Sequence, residues 1–522
     1  MVPAVSMVRR WASMLVAASL CALHVVLRPA AVDFASGDLR SRLFGAGSYL
    51  WSNNWFGGHS LPSYGLIPPM LGSWLGVEVV GIVSVLAATW CLTRVTERCV
   101  ELRPTLADPL FATVLFAIGC ALNLWAGRLT FGPSVAFGAG CLLALQHRRV
   151  AVAALCALGC GLSSPIGALS LAMVLAGCWC ARSFSRRALV AIAAVAVIPV
   201  ALLAVAFPEG GWYPFTGGGF VLLVSGLALV AWLGRRERVV VWTVAVYAVA
   251  AVGAFVLRTP LGGNIARLGW LAIGPVAVLN MRRLPRAGAL LIAAASIMWG
   301  WSYAKAAFLP TDATADPAFY NELADFVNAQ PGGIQRVEVV PTATFRQADE
   351  LSFKISLARG WDTQLDRKYN PQMYDRELTH AEFREWLRDN GVGLVALPLG
   401  QLQAVARAEA DLITSHPDYL EQVWRSDQWE VYRVVGSHPL ASGGAEIRQV
   451  TPDSLVVNVP HTGSTTILFR YTKLYEVTAG DACVSEAAGG WIALQVYKPG
   501  LVTLTAKLSI NALLPTEATC PS

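Results

Sequence analysis

The chain has 522 residues, of which 55% are hydrophobic and only 14% are charged, and its mean hydropathy is +0.51. That balance is too apolar for a soluble globular protein of this length. The formal net charge is +6, but no basic block with interleaved aromatic residues occurs, which argues against nucleic acid as a partner.

Long apolar runs follow one another up to about residue 305, and they predict a polytopic α-helical membrane protein. Eleven segments are predicted to span the bilayer: 11–31, 72–93, 109–126, 132–146, 149–163, 165–181, 188–207, 219–234, 239–257, 266–281 and 287–305. The first has Arg9 and Arg10 ahead of its apolar core, as a signal peptide has, and we interpret it as a retained helix. GLSSPIGA (161–168) is interpreted as a hairpin, and a kink in one long helix is the alternative.

The distribution of arginine predicts the orientation in the plasma membrane. With eleven spans, about sixteen basic residues fall on one face and about seven on the other. The positive-inside rule makes the first face cytoplasmic, so the N-terminus is cytoplasmic and the tail after residue 305 is extracytoplasmic. The loops at 37–65, 125–134, 208–219 and 258–269 then share the outer face.

Two acids, Asp33 and Asp38, follow the first predicted span. A carboxylate at the membrane surface can deprotonate an acceptor hydroxyl when it lies beside a bound electrophile, and a solvated helix end is the alternative. We prefer Asp38 as the base because Arg40 and Arg42 beside it would keep its carboxylate ionised. The choice between the two acids stays open.

Single arginines lie on the face that the positive-inside rule depletes, and four of them are candidates to bind a donor phosphate. They are Arg40, Arg128, Arg258 and Arg267. A lipid phosphate is the anion that a guanidinium at the outer headgroup level would bind. Snorkelling of these side chains to lipid headgroups is the alternative.

Side chains suited to binding a sugar occur in the first outer loop and in the tail. The candidates are Trp55, His59 and Tyr64 in the loop and Trp361, Asp366, Tyr369 and Asn370 in the tail. The loop aromatics also fit the membrane-interface belt, and a loop histidine is often a structural hydrogen bonder. The tail group fits a sugar-binding surface or a fixed contact with the membrane domain equally well.

The tail divides into two predicted domains. Residues 306–436 alternate helical and strand patterns, which predicts an α/β domain, and 437–522 carry period-2 stretches typical of a β-sandwich. An extracytoplasmic tail would allow Cys483 and Cys520 to pair. We see no metal-ligand cluster and predict no metal site, so the cofactor is left unknown, with a divalent metal still possible.

The organisation resembles the GT-C superfamily of polytopic glycosyltransferases over the whole length. WSNNWFGGHSLPSYG and RGWDTQLDRKYNPQMYD also resemble actinobacterial membrane proteins labelled as related to 6-pyruvoyl-tetrahydropterin synthase, although no pterin-enzyme site is visible. The resemblance implies that Asp38 or Asp33 is the base of an inverting transfer. The donor would be a polyprenyl-phosphate sugar and the acceptor a cell-envelope glycan. Paired adjacent acids, common in some members, are absent.

Two rival functions remain beside the glycosyltransferase. A transporter or flippase of lipid-linked sugars predicts ionisable residues near mid-bilayer, whereas here they gather at the outer ends of the spans. A non-catalytic glycan scaffold predicts that both acids are dispensable and that the surface around Trp361 is not. The chain has no P-loop, GxSxG, HExxH, CxxC pair or dinucleotide fingerprint, which excludes several other enzyme classes.

Overall fold

The computed structural model describes residues 2–103, 105–208, 210–281, 286–309, 311–360, 363–374, 377–509 and 520. It divides into two compact units. The first, the helical unit, comprises Met1–Gly37, Ser63–Val205 and Trp212–Leu309, and the second, the tail unit, comprises Asp38–Pro62, Ala206–Gly211 and Pro310–Ser522. Most of the first predicted outer loop therefore belongs to the tail unit.

All eleven predicted segments are helical. The helices up to residue 309 are α1 (Val2–Leu27), α2 (Val32–Gly45), α3 (Ile67–Leu75), α4 (Val77–Leu102), α5 (Pro109–Trp125), α6 (Phe131–Gln146), α7 (Val150–Ser163), α8 (Pro165–Cys180), α9 (Arg186–Ala206), α10 (Gly217–Leu233), α11 (Arg238–Val256), α12 (Ala266–Leu279) and α13 (Arg286–Ala304). Helix α2 extends into the predicted outer loop 37–65, and α3 begins before the predicted span 72–93 and ends within it. The break in the 149–181 run falls at Ser164, between α7 and α8.

Five helical segments of the described chain are long and apolar enough to cross a membrane: Val77–Leu102, Arg186–Ala206, Arg238–Val256, Gly262–Leu279 and Arg286–Phe308. Trp11–Leu27 and Val32–Gly45 make a sixth only if this pair, bent by 85°, is one broken span. Five further apolar helices have 10–17 residues. Eleven spans therefore remain a prediction.

Large apolar side chains point outward from the helical unit. Val205 is 80% exposed, and Leu291, Met298 and Val249 are also mostly exposed. Contiguous exposed apolar surface is unfavourable in water, whereas a bilayer covers it. The helical unit thus has the surface of a membrane protein.

Hydrogen bonds and ion pairs join loops that the arginine pattern had assigned to the same face. At one predicted face, Arg103 Nη1 lies 2.5 Å from Glu237 Oε2, and the Ala107 amide donates to the Leu279 carbonyl. At the predicted outer face, the Ala30 amide donates to the Ala307 carbonyl. The first two contacts join loops of the predicted cytoplasmic face. The third joins loops of the predicted outer face.

The tail unit begins with the C-terminal part of α2 and a two-stranded hairpin, β1 (Trp51–Ser52) and β2 (His59–Ser60), and continues with an α/β region. Its helices are α14 (Phe319–Asn328), α15 (Arg346–Glu350), α16 (Thr363–Tyr369), α17 (His380–Asp389) and α18 (Arg407–Thr414). Its strands are β3 (Arg336–Val339), β4 (Ser356–Leu357), β5 (Val392–Pro398), β6 (Leu420–Arg425) and β7 (Trp429–Val434), in the sheet order β4-β3-β5-β7-β6. The strand β3 is parallel to β4 and β5, and β7 is antiparallel to β5 and β6.

Helices cover both faces of this sheet, because β5 is apolar on both sides. Val392 and Val395 pack in the cluster that contains Phe383 of α17. Leu394 packs in the cluster that contains Leu323 of α14. A strand buried on both faces reads as a continuous apolar run, which is the pattern VGLVALP shows.

The C-terminal region is antiparallel β structure. Its strands are β8 (Glu446–Val450), β9 (Ser454–Val459), β10 (Gly463–Arg470), β11 (Tyr475–Ala479), β12 (Ala482–Ala487), β13 (Trp491–Val496) and β14 (Gly500–Ala506). They form a four-stranded sheet, β11-β14-β9-β8, and a three-stranded sheet, β10-β13-β12. Buried and partly exposed residues alternate along β9 and β13, as the period-2 sequence predicts.

Candidate active site

Asp33 lies in the first turn of α2 within the helical unit, where a negative charge is favoured by the helix dipole. Its side chain is 31% exposed, so the carboxylate remains accessible. The loop after α5 lies directly against this turn because Gly127 has a φ of +73° and no Cβ. A Cβ there would stand 2.7 Å from the Phe34 nitrogen. A glycine is therefore needed for this approach.

Arg128 follows that glycine and points to Asp33. Its Nε lies 3.4 Å from Asp33 Oδ2. The guanidinium also lies 4.4 Å from the ring centre of Tyr303 and 5.9 Å from that of Trp270, in cation–π geometry. The side chain of Asn123 holds the backbone at Arg128, because Asn123 Nδ2 donates to the Arg128 carbonyl at 3.3 Å.

Arg267 and Tyr213 enter the same cluster from the two later outer loops. Arg267 is the second residue of α12, and its guanidinium lies 5.8 Å from the Phe131 ring centre. The Tyr213 amide donates to the Thr259 carbonyl at 3.2 Å. A Cβ at Gly262 would stand 1.8 Å from the Tyr213 carbonyl oxygen, so the two loops pack backbone to backbone.

The electrostatics of Tyr213 link the members of this cluster. Burial raises the pKa of the Tyr213 phenol, Asp33 raises it further, and Arg267 and Arg128 partly oppose the shift. The phenol therefore keeps its proton at neutral pH and can donate a hydrogen bond. Residues from three of the predicted outer loops thus meet Asp33, which follows the first predicted span, in the helical unit, and we call Asp33, Arg128, Tyr213 and Arg267 the acid–arginine cluster.

The acid–arginine cluster has more hydrogen-bond donors than partners among the described residues. Buried nitrogens without a hydrogen bond are Nη1 of Arg128, Nε of Arg267, Nε1 of Trp270 and also Nε of Arg128, whose contact with Asp33 is an ion pair only. A buried donor left unpaired costs about 1–3 kcal/mol, and more when the group is charged. Oxygen atoms of an anionic ligand would supply the missing acceptors.

An apolar cavity of about 310 Å³ lies in the same helical unit. Phe131, Leu268 and Leu271 contribute to its lining, together with residues from α4–α8, α10 and α11. Phe131 is the ring that Arg267 contacts, and Leu268 is the next residue along α12. A cationic site and an apolar cavity therefore share the same segments of chain.

Asp38, the acid preferred from sequence, belongs to the tail unit. It lies close enough to Asp349 for its charge to act on the pKa of the Asp349 carboxyl. Burial raises the pKa of the Asp349 carboxyl to about 8, the charge of Asp38 contributes to the rise, and Arg42 partly opposes it. Arg42 Nη1 is 2.9 Å from Asp349 Oδ1.

Arg40, predicted to bind a donor phosphate, is buried in the tail unit. Its Nη2 donates to the Tyr49 hydroxyl and to the Leu61 carbonyl, both at 2.8 Å. Arg40 and Arg42, the two arginines next to Asp38 in sequence, both have other partners in the structure. The structure therefore gives less support to Asp38 as the base and to Arg40 as a phosphate ligand.

The predicted sugar-binding residues Trp55, His59 and Tyr369 meet in one aromatic cluster of the tail unit. The ring centres of His59 and Tyr369 are 6.2 Å apart, and those of Trp55 and His59 are 6.4 Å apart. All but Tyr369 are buried, and Trp55 packs on Gly360. This cluster is mainly part of the interior rather than an open stacking surface.

Asp366 and Asn370 take part in a buried network around Arg359. Asp366 accepts hydrogen bonds from Asn370 Nδ2 at 2.7 Å and from the Tyr374 hydroxyl at 2.8 Å. The Trp386 indole donates to Asn370 Oδ1 at 2.8 Å. These polar atoms hold the α/β region together.

Two further predicted site residues are not members of the acid–arginine cluster, and a third lies outside the described residues. Arg258 is exposed, with its guanidinium 5.6 Å from the Trp212 ring centre. Tyr64 precedes Gly65, which packs against the Ser163 carbonyl. Trp361 lies outside the described residues.

A disulfide joins Cys483 and Cys520. Among the residues that the structure describes, no group of three or more His, Cys, Asp or Glu side chains is arranged to hold a metal ion.

Sequence reasoning missed Tyr213 and Asp349. Tyr213 lies in PEGGWYPFTGGG, a loop already assigned to the outer face, so its position was available but its role was not. Asp349 carries no local motif. Only the tertiary fold brings it to Arg42.

No protein-family model matches this sequence, and no curated protein matches it. Arabinofuranosyltransferase AftD from Mycobacteria aligns with 97% of this chain at 14% identity and a TM-score of 0.44, and the alignment covers 42% of the AftD chain. ArnT from Cupriavidus metallidurans, solved with undecaprenyl phosphate, aligns over 81% of this chain and 99% of its own at 13% identity and a TM-score of 0.45.

The oligosaccharyltransferase of Archaeoglobus fulgidus aligns with 75% of this chain and 70% of its own, at 12% identity and a TM-score of 0.43. Two of these three proteins are named as transferases, an arabinofuranosyltransferase and an oligosaccharyltransferase. At such identities and TM-scores they assign neither a fold family nor an activity to this chain.

Proposed function

We propose that the chain is a membrane glycosyltransferase that moves a sugar from a polyprenyl-phosphate donor to a cell-envelope glycan on the extracytoplasmic face. The observation that carries the proposal is the acid–arginine cluster. Two arginines with unpartnered donors lie with one accessible carboxylate in the helical unit, whose α12 and Phe131 also line an apolar cavity.

The donor phosphate is assigned to Arg128 and Arg267. Both carry buried N–H groups without acceptors, and a phosphate ester offers anionic oxygens to several donors at once. Arginine suits this role because its planar fork stays charged and binds phosphate through more than one N–H group. Arg258 is left out because it is exposed and lies on Trp212 instead.

The lipid chain is assigned to the apolar cavity. Its volume of about 310 Å³ holds a few isoprene units, and its lining comes from Leu, Val, Phe and small residues. The amphiphile that satisfies both halves of the site has an anionic head and an unsaturated hydrocarbon tail. A polyprenyl phosphate has this chemistry.

Asp33 is proposed as the general base. Its carboxylate takes the proton from an acceptor hydroxyl, and the hydroxyl oxygen attacks the anomeric carbon as the bond to the phosphate oxygen breaks. The electron pair of that bond leaves on the polyprenyl phosphate, and the proton passes from Asp33 to solvent. Attack opposite the departing phosphate inverts the anomeric centre.

Arg128, Arg267 and Tyr213 stabilise the departing phosphate. Charge grows on the phosphate as the glycosidic bond breaks, and fixed donors lower the energy of that state. The raised pKa of Tyr213 keeps its hydroxyl protonated, so it can donate to a phosphate oxygen. The ion pair between Arg128 and Asp33 holds the proposed base beside an arginine that binds the departing phosphate.

The test is envelope glycan linkage analysis in a strain that lacks the chain and is complemented with wild type, Asp33→Asn or Asp38→Asn. We expect one linkage to disappear, and wild type and Asp38→Asn to restore it. Asp33→Asn, produced at the same level, should not. Restoration of the linkage by Asp33→Asn would refute the assignment of Asp33 as the base. Restoration by both variants and by their double mutant would refute the glycosyltransferase proposal and favour a transporter or a scaffold.

A further inference from the structure

The tail unit contains a polar groove of about 920 Å³ that no step of the proposed transfer uses. It lies between the α/β region and the C-terminal β structure. Its lining comes from Asn54 and from residues of 327–336, 352–356, 391–393 and 437–452. The volume falls within the range of small-ligand sites, which is about 300–1,000 Å³.

Three buried side chains of this groove each keep a polar atom without a hydrogen-bond partner. The atoms are Nε and Nη2 of Arg336, Oδ1 of Asn54 and Oγ of Ser356. The three residues are between 1% and 5% exposed. Each unpaired buried group costs free energy, so three along one groove point to a ligand that supplies both donors and acceptors.

Two of these side chains are held firmly at their other end. Arg336 Nη1 donates to the Asn390 carbonyl at 2.7 Å, and the Arg336 guanidinium lies 4.5 Å from the Phe469 ring centre. Asn54 Nδ2 donates to the Ser352 carbonyl. The unpartnered atoms are therefore preorganised rather than loose.

The groove carries an excess of positive charge. Its charged lining residues are Arg336, Lys354, Arg448 and Glu446, and Glu446 pairs with Arg448 at 2.5 Å. No ion pair of Arg336 occurs in the described part of the chain. Burial and the nearby Arg470 lower the pKa of Arg336 to about 9, so it still carries its charge at neutral pH.

We infer that this groove binds an anionic saccharide. A carboxylate or phosphate group on the sugar would accept from Arg336 Nε. A sugar hydroxyl would donate to Asn54 Oδ1, and a second would exchange a hydrogen bond with Ser356 Oγ. A neutral sugar leaves the guanidinium unpaired, and an inorganic anion leaves the amide oxygen without a matched hydroxyl.

The role of this groove in holding an anionic part of the acceptor glycan rests on the proposed function, whereas the saccharide site itself does not. The test therefore measures binding rather than transfer. Asp33→Asn is included because it should abolish transfer and leave groove binding unchanged. A failure of the groove and a failure of the transferase proposal are then separate results.

The experiment is titration calorimetry on the full chain, purified in detergent. The probes are a glucuronate-containing oligosaccharide, a sugar phosphate, a neutral oligosaccharide of equal length and inorganic phosphate. At least one acidic sugar should bind at least about tenfold more tightly than the neutral one and inorganic phosphate. Higher salt should weaken this binding. Equal affinity for acidic and neutral sugars, or no binding of any sugar, would overturn the proposal.

Variants locate the binding. Ser356→Ala removes only an unpartnered hydroxyl, so the fold should persist while affinity falls several-fold. Arg336→Lys keeps the charge but loses the planar fork, and affinity should fall at least about tenfold. Arg433→Lys is the matched control on the same sheet outside the groove, and it should bind as wild type does. If Ser356→Ala and Arg336→Lys both fold and bind as wild type does, the groove is not the site.

Discussion

Buried arginines occur in both units, and they differ in what surrounds them. In the tail unit, Arg359 contacts three carboxylates: Glu338 Oε1 at 2.8 Å from Nε, Glu409 Oε2 at 2.6 Å and Asp366 Oδ2 at 3.5 Å. In the helical unit, Arg128 has Asp33 alone, and Arg267 forms no ion pair among the described residues.

This difference distinguishes an arginine with a structural role from arginines that bind a ligand. Burial raises the pKa values of Glu338 and Glu409, and Arg359 opposes both shifts. The charge of a nearby acid adds to each rise, chiefly Glu409 for Glu338 and Asp366 for Glu409. Arg359 thus compensates an excess of buried acid. Arg128 and Arg267 leave donors unused, so their compensation must come from a ligand. Loss of Arg359 should therefore affect stability, whereas loss of Arg267 should affect function.

The first prediction concerns Arg267→Met. Transfer should fall by about 10²–10³, the loss typical of one donor to developing negative charge. Thermal stability should stay the same or rise, because a buried guanidinium without an acid partner is removed. Arg258→Met, an exposed arginine of a neighbouring loop, is the control and should transfer at the wild-type rate. Normal transfer by Arg267→Met would remove the proposed role of the cluster.

The second prediction concerns Arg359→Met. Breaking a buried ionic network by removing one partner costs about 3–5 kcal/mol, so the free energy of unfolding of the tail unit should fall by that amount. Limited proteolysis and thermal unfolding of the purified chain measure the change. Arg433→Met, which breaks an exposed pair with Glu421, should cost about 1 kcal/mol or less. Equal costs for the two variants would contradict the comparison.

The third prediction concerns Tyr213→Phe. Loss of one hydrogen bond to a charged phosphate should slow transfer by about tenfold, mainly in kcat, because the bond strengthens as the phosphate departs. Tyr303→Phe is the control. Its ring centre lies 4.4 Å from the Arg128 guanidinium, and phenylalanine keeps that contact, so this variant should retain most activity. A larger loss for Tyr303→Phe than for Tyr213→Phe would shift the donor role to Tyr303.

The smallest effect concerns Asp349. Its folded pKa of about 8 lies above the unfolded value of about 3.9, so the native chain binds more protons between these pH values and stability falls as pH rises. Asp349→Asn resembles the protonated form, so its stability should fall less between pH 5 and pH 8. Thermal unfolding at both pH values measures this.

The matched control for Asp349→Asn is Asp481→Asn, in an exposed pair with Lys498, which should change the pH profile little. Profiles of wild type and Asp349→Asn that coincide would show that Asp349 titrates normally. The pair formed by Arg42 and Asp349 would then belong with ordinary partly exposed ion pairs.

The sequence predicted the helices of the membrane region well, because length and apolar composition alone define them. It also placed Asp33, Arg128 and Arg267 on one face, since the positive-inside rule depends only on the order of segments and charges. It did not predict α2, whose Gly, Ser and charged residues resemble a loop. Without that helix, Asp33 and Asp38 seemed to share one environment.

In the tail, local sequence patterns predict strands but do not predict the roles of polar side chains. The sequences of β5, VGLVALP, and β7, WEVYRV, are rich in β-branched or aromatic residues, so each carries a local pattern that predicts a strand. Asp366 and Asn370 look like sugar ligands in sequence, and the fold uses them as partners of Arg359 and Trp386. Which polar atoms remain unpartnered is decided by residues far apart in sequence, so no local pattern reveals it.

The most direct measurement is the affinity of the purified chain for a polyprenyl phosphate, determined by native mass spectrometry or calorimetry. It needs no knowledge of the sugar or the acceptor. We predict that wild type and Arg258→Met bind the lipid equally, and that the double variant Arg128→Met with Arg267→Met binds at least about 100-fold more weakly. Undiminished binding by a folded double variant would contradict the account.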